Sequence, residues 1–127
     1  MKIGIRFADF RGMLTSGRYI RRLLIKTDER IVIVTVTLID CIESAGNYVA
    51  VKSGKECYIL RKPLITLEAQ LDPHRFVRIS RSVIVNLDRV KEIQPMFQGE
   101  HVLVLQDGKR FPVTRKFRDI EETLRFG

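Results

Sequence analysis

From residue 23 onward, apolar positions come in short β-branched or aliphatic runs separated by polar clusters, a pattern that predicts mostly strands and two short helices. Leu23-Leu24-Ile25 and Ile31–Val36 flank the polar turn Thr27-Asp28-Glu29-Arg30 and predict a hairpin. Ile39–Glu43 runs into Ser44-Ala45-Gly46-Asn47, read as a loop because its residues tolerate positive φ. Tyr48–Val51, a Ser53-Gly54-Lys55 turn and Cys57–Leu60 predict a second hairpin. Phe76–Ile79 and Val83–Val85 surround a polar centre; Val90–Met96 follows, and Gln98-Gly99 turns the chain into Val102–Leu105. Gln106-Asp107-Gly108-Lys109 is a hairpin signal before Arg110–Val113. Pro112 has no N–H to give to a ladder, so that last strand is expected at a sheet edge.

Helical spacing is confined to two places. Leu60, Leu64, Leu67 and Leu71 recur at four- and three-residue steps. Pro63 suits a first helical turn, and Asp72-Pro73 ends the helix because the residue before proline is driven out of the helical region. Thr114 is placed to cap a final helix with Phe117, Ile120 and Leu124 on one face and Glu121 and Arg125 paired on the surface. Phe7, Phe10 and Leu14 also have helical spacing, but Gly4, Gly12 and Gly17 weaken it. The expected organisation is a linker or N-terminal extension over 1–22 and one domain over 23–127, without internal repeats.

Composition narrows the function more than the fold. A chain of 127 residues with 45% apolar content suits one globular domain. No apolar run is long enough to cross a membrane, and Met1–Arg6 has no secretory core, so a cytoplasmic protein without a membrane partner is expected. Lys and Arg outnumber Asp and Glu by 23 to 15, a formal charge of +8, which favours a polyanionic partner without choosing among DNA, RNA and an anionic surface. Cys41 and Cys57 form no Cys-x-x-Cys pair, and with only His74 and His101 beside them no metal-ligand spacing exists; both thiols are expected reduced and half-buried on strands. No nucleophile–base pair or phosphate-binding glycine loop is visible, and Glu121-Glu122 are helix neighbours that do not converge. A non-enzyme without metal or cofactor is the expectation.

The segment Phe76-Val77-Arg78-Ile79-Ser80-Arg81-Ser82-Val83-Ile84-Val85-Asn86 crowds polar donors into an apolar stretch and has two readings. In one, an arginine pairs with a carboxylate and two hydroxyls build a turn. In the other, the turn presents a guanidinium to DNA, where its planar fork reads guanine edges while hydroxyls and amides hold phosphates. Two further patches suit the second reading: the Ser44–Tyr48 loop, and Thr114-Arg115-Lys116 where a strand gives way to a helix.

In order along the chain, Ile42-Glu43-Ser44-Ala45-Gly46-Asn47-Tyr48-Val49, the Leu64–Asp72 helix, Phe76-Val77-Arg78 through Arg81-Ser82 to Val85-Asn86, and Phe111-Pro112-Val113-Thr114-Arg115 resemble the signatures of the LytTR family. The resemblance covers roughly residues 23 to 126, and four linked motifs make it specific. It implies a mainly β, antiparallel fold of three small sheets with short helices. It also implies sequence-specific binding of double-stranded DNA by loops entering successive major grooves, on paired direct repeats, as a dimer on DNA. Family members are bacterial transcriptional regulators, commonly the output domain of a two-component, phosphorelay-controlled response regulator with a receiver domain in cis. By position, the family's contacts fall at Asn47 or Tyr48, at Arg81 with the flanking Ser80 and Ser82, and at Arg115 with Lys116; Arg78 matches as well, as a contact or as a structural group. Many relatives carry histidine in place of Ser80, and Thr114 stands for a common serine. Competing readings from other classes are an RNA-binding β-protein, which would need stacking aromatics on a sheet face, and a module that binds an acidic protein partner.

Overall fold

The computed structural model describes residues 19–115 and 120–122. Among these residues, ten strands form three antiparallel sheets. The first hairpin joins β1 (Arg22–Lys26) to β2 (Ile31–Thr35), with Leu24 opposite Ile33. Its turn is tied by Thr27, whose hydroxyl donates to the carbonyl of Arg30 and accepts from the amides of Glu29 and Arg30. This is the hairpin that the Thr27–Arg30 cluster predicts.

A five-stranded sheet is the centre of the molecule. It contains β3 (Cys41–Ala45), β4 (Tyr48–Ser53), β5 (Glu56–Leu60), β6 (Phe76–Arg78) and β7 (Val83–Asn86), in the order β5-β4-β3-β7-β6. Helix α1 (Leu64–Gln70) crosses from β5 to β6; Pro63 is its extended N-cap rather than part of its first turn, and Leu71 ends it just short of the expected stop at Asp72-Pro73. The third sheet contains β8 (Val90–Pro95), β9 (His101–Leu105) and β10 (Arg110–Val113), in the order β10-β9-β8. Pro112 therefore lies on an edge strand, opposite Val102, as its missing N–H demands.

Two apolar clusters occupy the two faces of the central sheet, because successive side chains on a strand point to opposite sides. Ile42, Val49, Val51, Leu60, Phe76 and Ile84 face the first hairpin and the helix, meeting Leu23, Ile25, Val34, Leu64, Leu67 and Leu71. Cys41, Val83 and Val85 face the third sheet, meeting Leu103, Leu105 and Phe111, with Ile120 closing that cluster. Strand β7 is buried on both sides, which is why Val83-Ile84-Val85 reads as an unbroken apolar run. Ile20, in the segment expected to be a linker, is only 8% exposed and its amide donates to the carbonyl of Gln70, 3.0 Å away.

Two local expectations change. Ser44 and Ala45 belong to β3 rather than to a loop: Ala45 pairs with Tyr48, so the connection shrinks to Gly46-Asn47, with φ +66 at Gly46. Glycine at the first central position is what a twisted two-residue hairpin turn of this kind requires. The cysteines are not alike, since Cys41 is fully buried and Cys57 is exposed on the uncovered side of β5. His74 is exposed, but His101 is half-buried. Ile120–Glu122 is helical, as the expected final helix requires, while Phe117, Leu124 and Arg125 lie outside the described residues.

Candidate nucleic-acid interface

The turn between β6 and β7 is built by its own polar residues. The amide of Ile79 donates to the carbonyl of Val83 at 3.0 Å, and Ser82 N–H donates to the hydroxyl of Ser80 at 3.2 Å. Ser80 is 8% exposed, so its hydroxyl faces inward and shapes the turn. Arg78 reaches under it with all three guanidinium nitrogens. Nε donates to Ser80 O (3.1 Å), Nη2 to Arg81 O (2.5 Å) and Nη1 to Glu68 Oε1 on the helix (2.9 Å). The Arg78 side chain is 14% exposed, and the guanidinium's hydrogen-bonding directions are directed into the fold. The first reading holds for Arg78, and the second is left to Arg81. Arg78 pairs with a carboxylate under a hydroxyl turn, and Arg81 stands exposed on top of it.

The register brings the other patches to the same end of the central sheet. Beyond the Glu43–Val83 pair, Ser44 N–H donates to Ser82 O at 2.8 Å, fixing the Gly46-Asn47 turn beside the Arg81 turn. From the third sheet, the amides of Thr114 and Arg115 both donate to Ile79 O, at 2.9 and 3.1 Å. Asn47, Tyr48, Arg81, Ser82 and Arg115 are all exposed there. Three sequence-distant turns therefore share one rim, a juxtaposition that pattern reading leaves open. Lys116 lies outside the described residues.

Arg61 was missed by pattern reading. It follows Leu60, which pairs with Val49, so it emerges at the same rim, and its guanidinium sits 5.4 Å from the centroid of the Tyr48 ring. A cation over an aromatic face gains electrostatic attraction from the ring quadrupole and loses rotamer freedom. The sequence signal was weak: Arg61-Lys62 before Pro63 reads as a solvated helix start. Among the described residues, Arg61, Arg81 and Arg115 pair with no carboxylate, whereas Arg78 is neutralised by Glu68. Net positive charge thus remains on the rim and is removed beneath it.

Elsewhere, Asn86 is fully buried at the opposite end of β7. It donates to Thr37 O and Ile39 O (3.3 and 2.8 Å) and accepts from Asp88 N–H at 3.0 Å, which makes it a structural clamp. Burial, with the nearby Glu43 carboxylate second, pushes the Cys41 thiol up to about 12. No cluster of three His, Cys, Asp or Glu able to hold a metal ion occurs among the described residues, and no helix there is long and apolar enough to cross a membrane.

Residues 29–124 match the model of the LytTr DNA-binding domain family. The chain is 31% identical over 105 residues to the sensory transduction protein LytT of Bacillus anthracis, covering 82% of this chain and 43% of that protein. It is 33% identical over 96 residues to LytT of Bacillus subtilis, covering 76% and 40%, and 31% identical over 80 residues to the transcriptional regulatory protein YpdB of Escherichia coli K12, covering 63% and 33%. The chain thus spans less than half the length of these relatives. A solved LytTr DNA-binding domain from Bacillus cereus has the same fold, with a TM-score of 0.72 and 23% identity over 82% of this chain and 96% of that one.

Proposed function

Because the chain belongs to the LytTr DNA-binding domain family, we propose that it binds double-stranded DNA sequence-specifically, as the output domain of a bacterial two-component response regulator. The observation that carries this reading is the convergence of three turns on one rim, held by Ser44 N–H to Ser82 O and by the Thr114 and Arg115 amides to Ile79 O. Arg81, and Asn47 or Tyr48, contact base edges; Ser82, Arg115 and Lys116 contact phosphates; Ser80 and Arg78 hold the Arg81 turn in shape. An arginine fork matches a guanine edge, while hydroxyls, amides and lone cations position the backbone. The protein acts by binding, in the cytoplasm, without catalysis or cofactor. Relatives of which the match covers only 43%, named for sensory transduction, support a receiver domain in cis, joined through a linker that ends before Ile20. Two copies then occupy paired direct repeats.

Selection of bound duplexes from a random pool, followed by titration against salt, tests the proposal. Enrichment of a paired repeat is expected. Arg81→Ala should lose about 1–3 kcal/mol of discrimination at one position, while Lys116→Ala should weaken all sequences alike and flatten the salt slope by about one. Absence of enrichment, with binding lost at moderate salt, would reject the proposal and leave RNA or an acidic protein as the partner to test.

A further inference from the structure

The turn between β8 and β9 exposes an aromatic residue that the fold does not use. Phe97 is 89% exposed and the neighbouring Met96 47%. The turn is short and closed: Met96 N–H donates to Glu100 O at 2.6 Å, and Glu100 N–H donates to Phe97 O at 3.2 Å. Gln98 holds φ +60, ψ 33 and Gly99 φ +80. The left-handed region disfavours a residue with a Cβ, so Gln98 pays a conformational cost to turn the chain tightly here. A large apolar ring on such a tip loses the stabilisation that burial would provide.

Its position gives the ring a use. His101 pairs with Pro95 on one side and with Val113 on the other, so the Met96–Glu100 tip leaves the third sheet at the end where Thr114 and Arg115 leave it. Two strand spacings, about 10 Å, separate Pro95 from Val113 across that sheet. Thr114 and Arg115 are in turn bound to Ile79 O, one residue before Ser80-Arg81. The tip is therefore an outlying continuation of the arginine rim. A phenyl ring has no hydrogen bond to offer a duplex. What it can bury against is apolar nucleotide surface: a thymine methyl in the major groove, a deoxyribose, or the face of an unstacked base.

We infer that Phe97, presented by the Met96–Glu100 turn, is a fourth DNA-contacting element that buries its ring against apolar nucleotide surface beside the Arg115 contact. The inference rests on the DNA-binding reading above. Its test uses the full chain, the duplex obtained by selection, and both single-repeat and paired-repeat forms of it. Phe97→Ala should weaken binding to the single repeat about tenfold. It should leave the salt slope unchanged, because an apolar contact releases no counterion. Phe97→Leu should recover most of the loss. Replacing thymines of the site by uracil one at a time distinguishes the sources: a position where Phe97→Ala has no further effect identifies a methyl contact, and additivity everywhere identifies sugar or an unstacked base. Full single-repeat affinity in Phe97→Ala, with Arg81→Ala impaired, overturns the inference and leaves DNA reading intact. So does a defect confined to the paired repeat, which would make the ring a contact between copies. Failure of the unmodified chain to select any duplex removes both.

Discussion

Replacing Arg78 by alanine removes a guanidinium whose three nitrogens hold Ser80 O, Arg81 O and Glu68 Oε1. The contact to the buried Ser80 backbone is charge-assisted and counts for about 1.5–3 kcal/mol. The carbonyl of exposed Arg81 regains water on truncation, so that contact counts for about 1 kcal/mol. Glu68 is 37% exposed, which reduces the ion pair to roughly 0.5 kcal/mol. The sum, about 3–4.5 kcal/mol, corresponds to a fall in Tm of roughly 10–30 °C for a domain of this size. Arg78→Lys keeps a charge near Glu68 but not the fork, and should recover no more than about 1 kcal/mol. Glu68→Gln should cost under about 1 kcal/mol. Urea unfolding supplies these values, and DNA titration at several salt concentrations supplies the second readout. Arg78→Ala should weaken DNA binding by loosening the Arg81 turn while the salt slope stays put, because a positioning residue neutralises no phosphate. Unchanged stability together with a slope flattened by about one would refute the reasoning and make Arg78 a direct phosphate contact.

Other outcomes follow from the same geometry. Asn86→Ala leaves Thr37 O, Ile39 O and Asp88 N–H without their partner and should cost about 2–4 kcal/mol by urea unfolding, with DNA discrimination retained by the folded fraction. A thiol-reactive dye at pH 8 should label Cys57 quickly and Cys41 only after unfolding, since Cys41 is buried and Cys57 exposed. The Cys41 thiol, raised from 9.0 to about 12 by burial and then by Glu43, stays protonated in the fold while the unfolded chain ionises. The unfolded state then binds fewer protons, so this group's contribution to stability is complete below pH 9 and falls as pH rises from 9 to 12, by at most about 1.4 kcal/mol per pH unit; a Cys41→Val variant should lack that component of the alkaline decline. Tyr48→Phe keeps the ring beneath Arg61 and should hold stability within about 0.5 kcal/mol, whereas Arg61→Ala should flatten the salt slope by about one if Arg61 meets a phosphate.

Strand positions, the first two hairpins, the Leu64–Gln70 helix and the edge placement of Pro112 were legible along the chain, because each depends on periodicity or on a missing N–H within a few residues. The family signatures were legible for the same reason: Gly46-Asn47, Ser80-Arg81-Ser82 and Thr114-Arg115 are local turn chemistry. Pairing partners were not. Whether Arg78 or Arg81 faces solvent depends on Glu68, ten residues upstream of Arg78 on the helix, and alternation along β6 does not reveal a carboxylate arriving from another element. Arg61 carries no local signal of its own, and only the β4–β5 register places it over Tyr48. Cys41 and Cys57 carry the same local signal, and differ because the third sheet covers β3 and β7 while leaving the β5 edge open. The meeting of three turns on one rim depends on two long-range ties, Ser44 to Ser82 and Thr114 with Arg115 to Ile79. Local patterns record what each segment prefers against water. Register and sheet stacking choose which preferred segments become neighbours, because only the assembled layers bury both faces of β7.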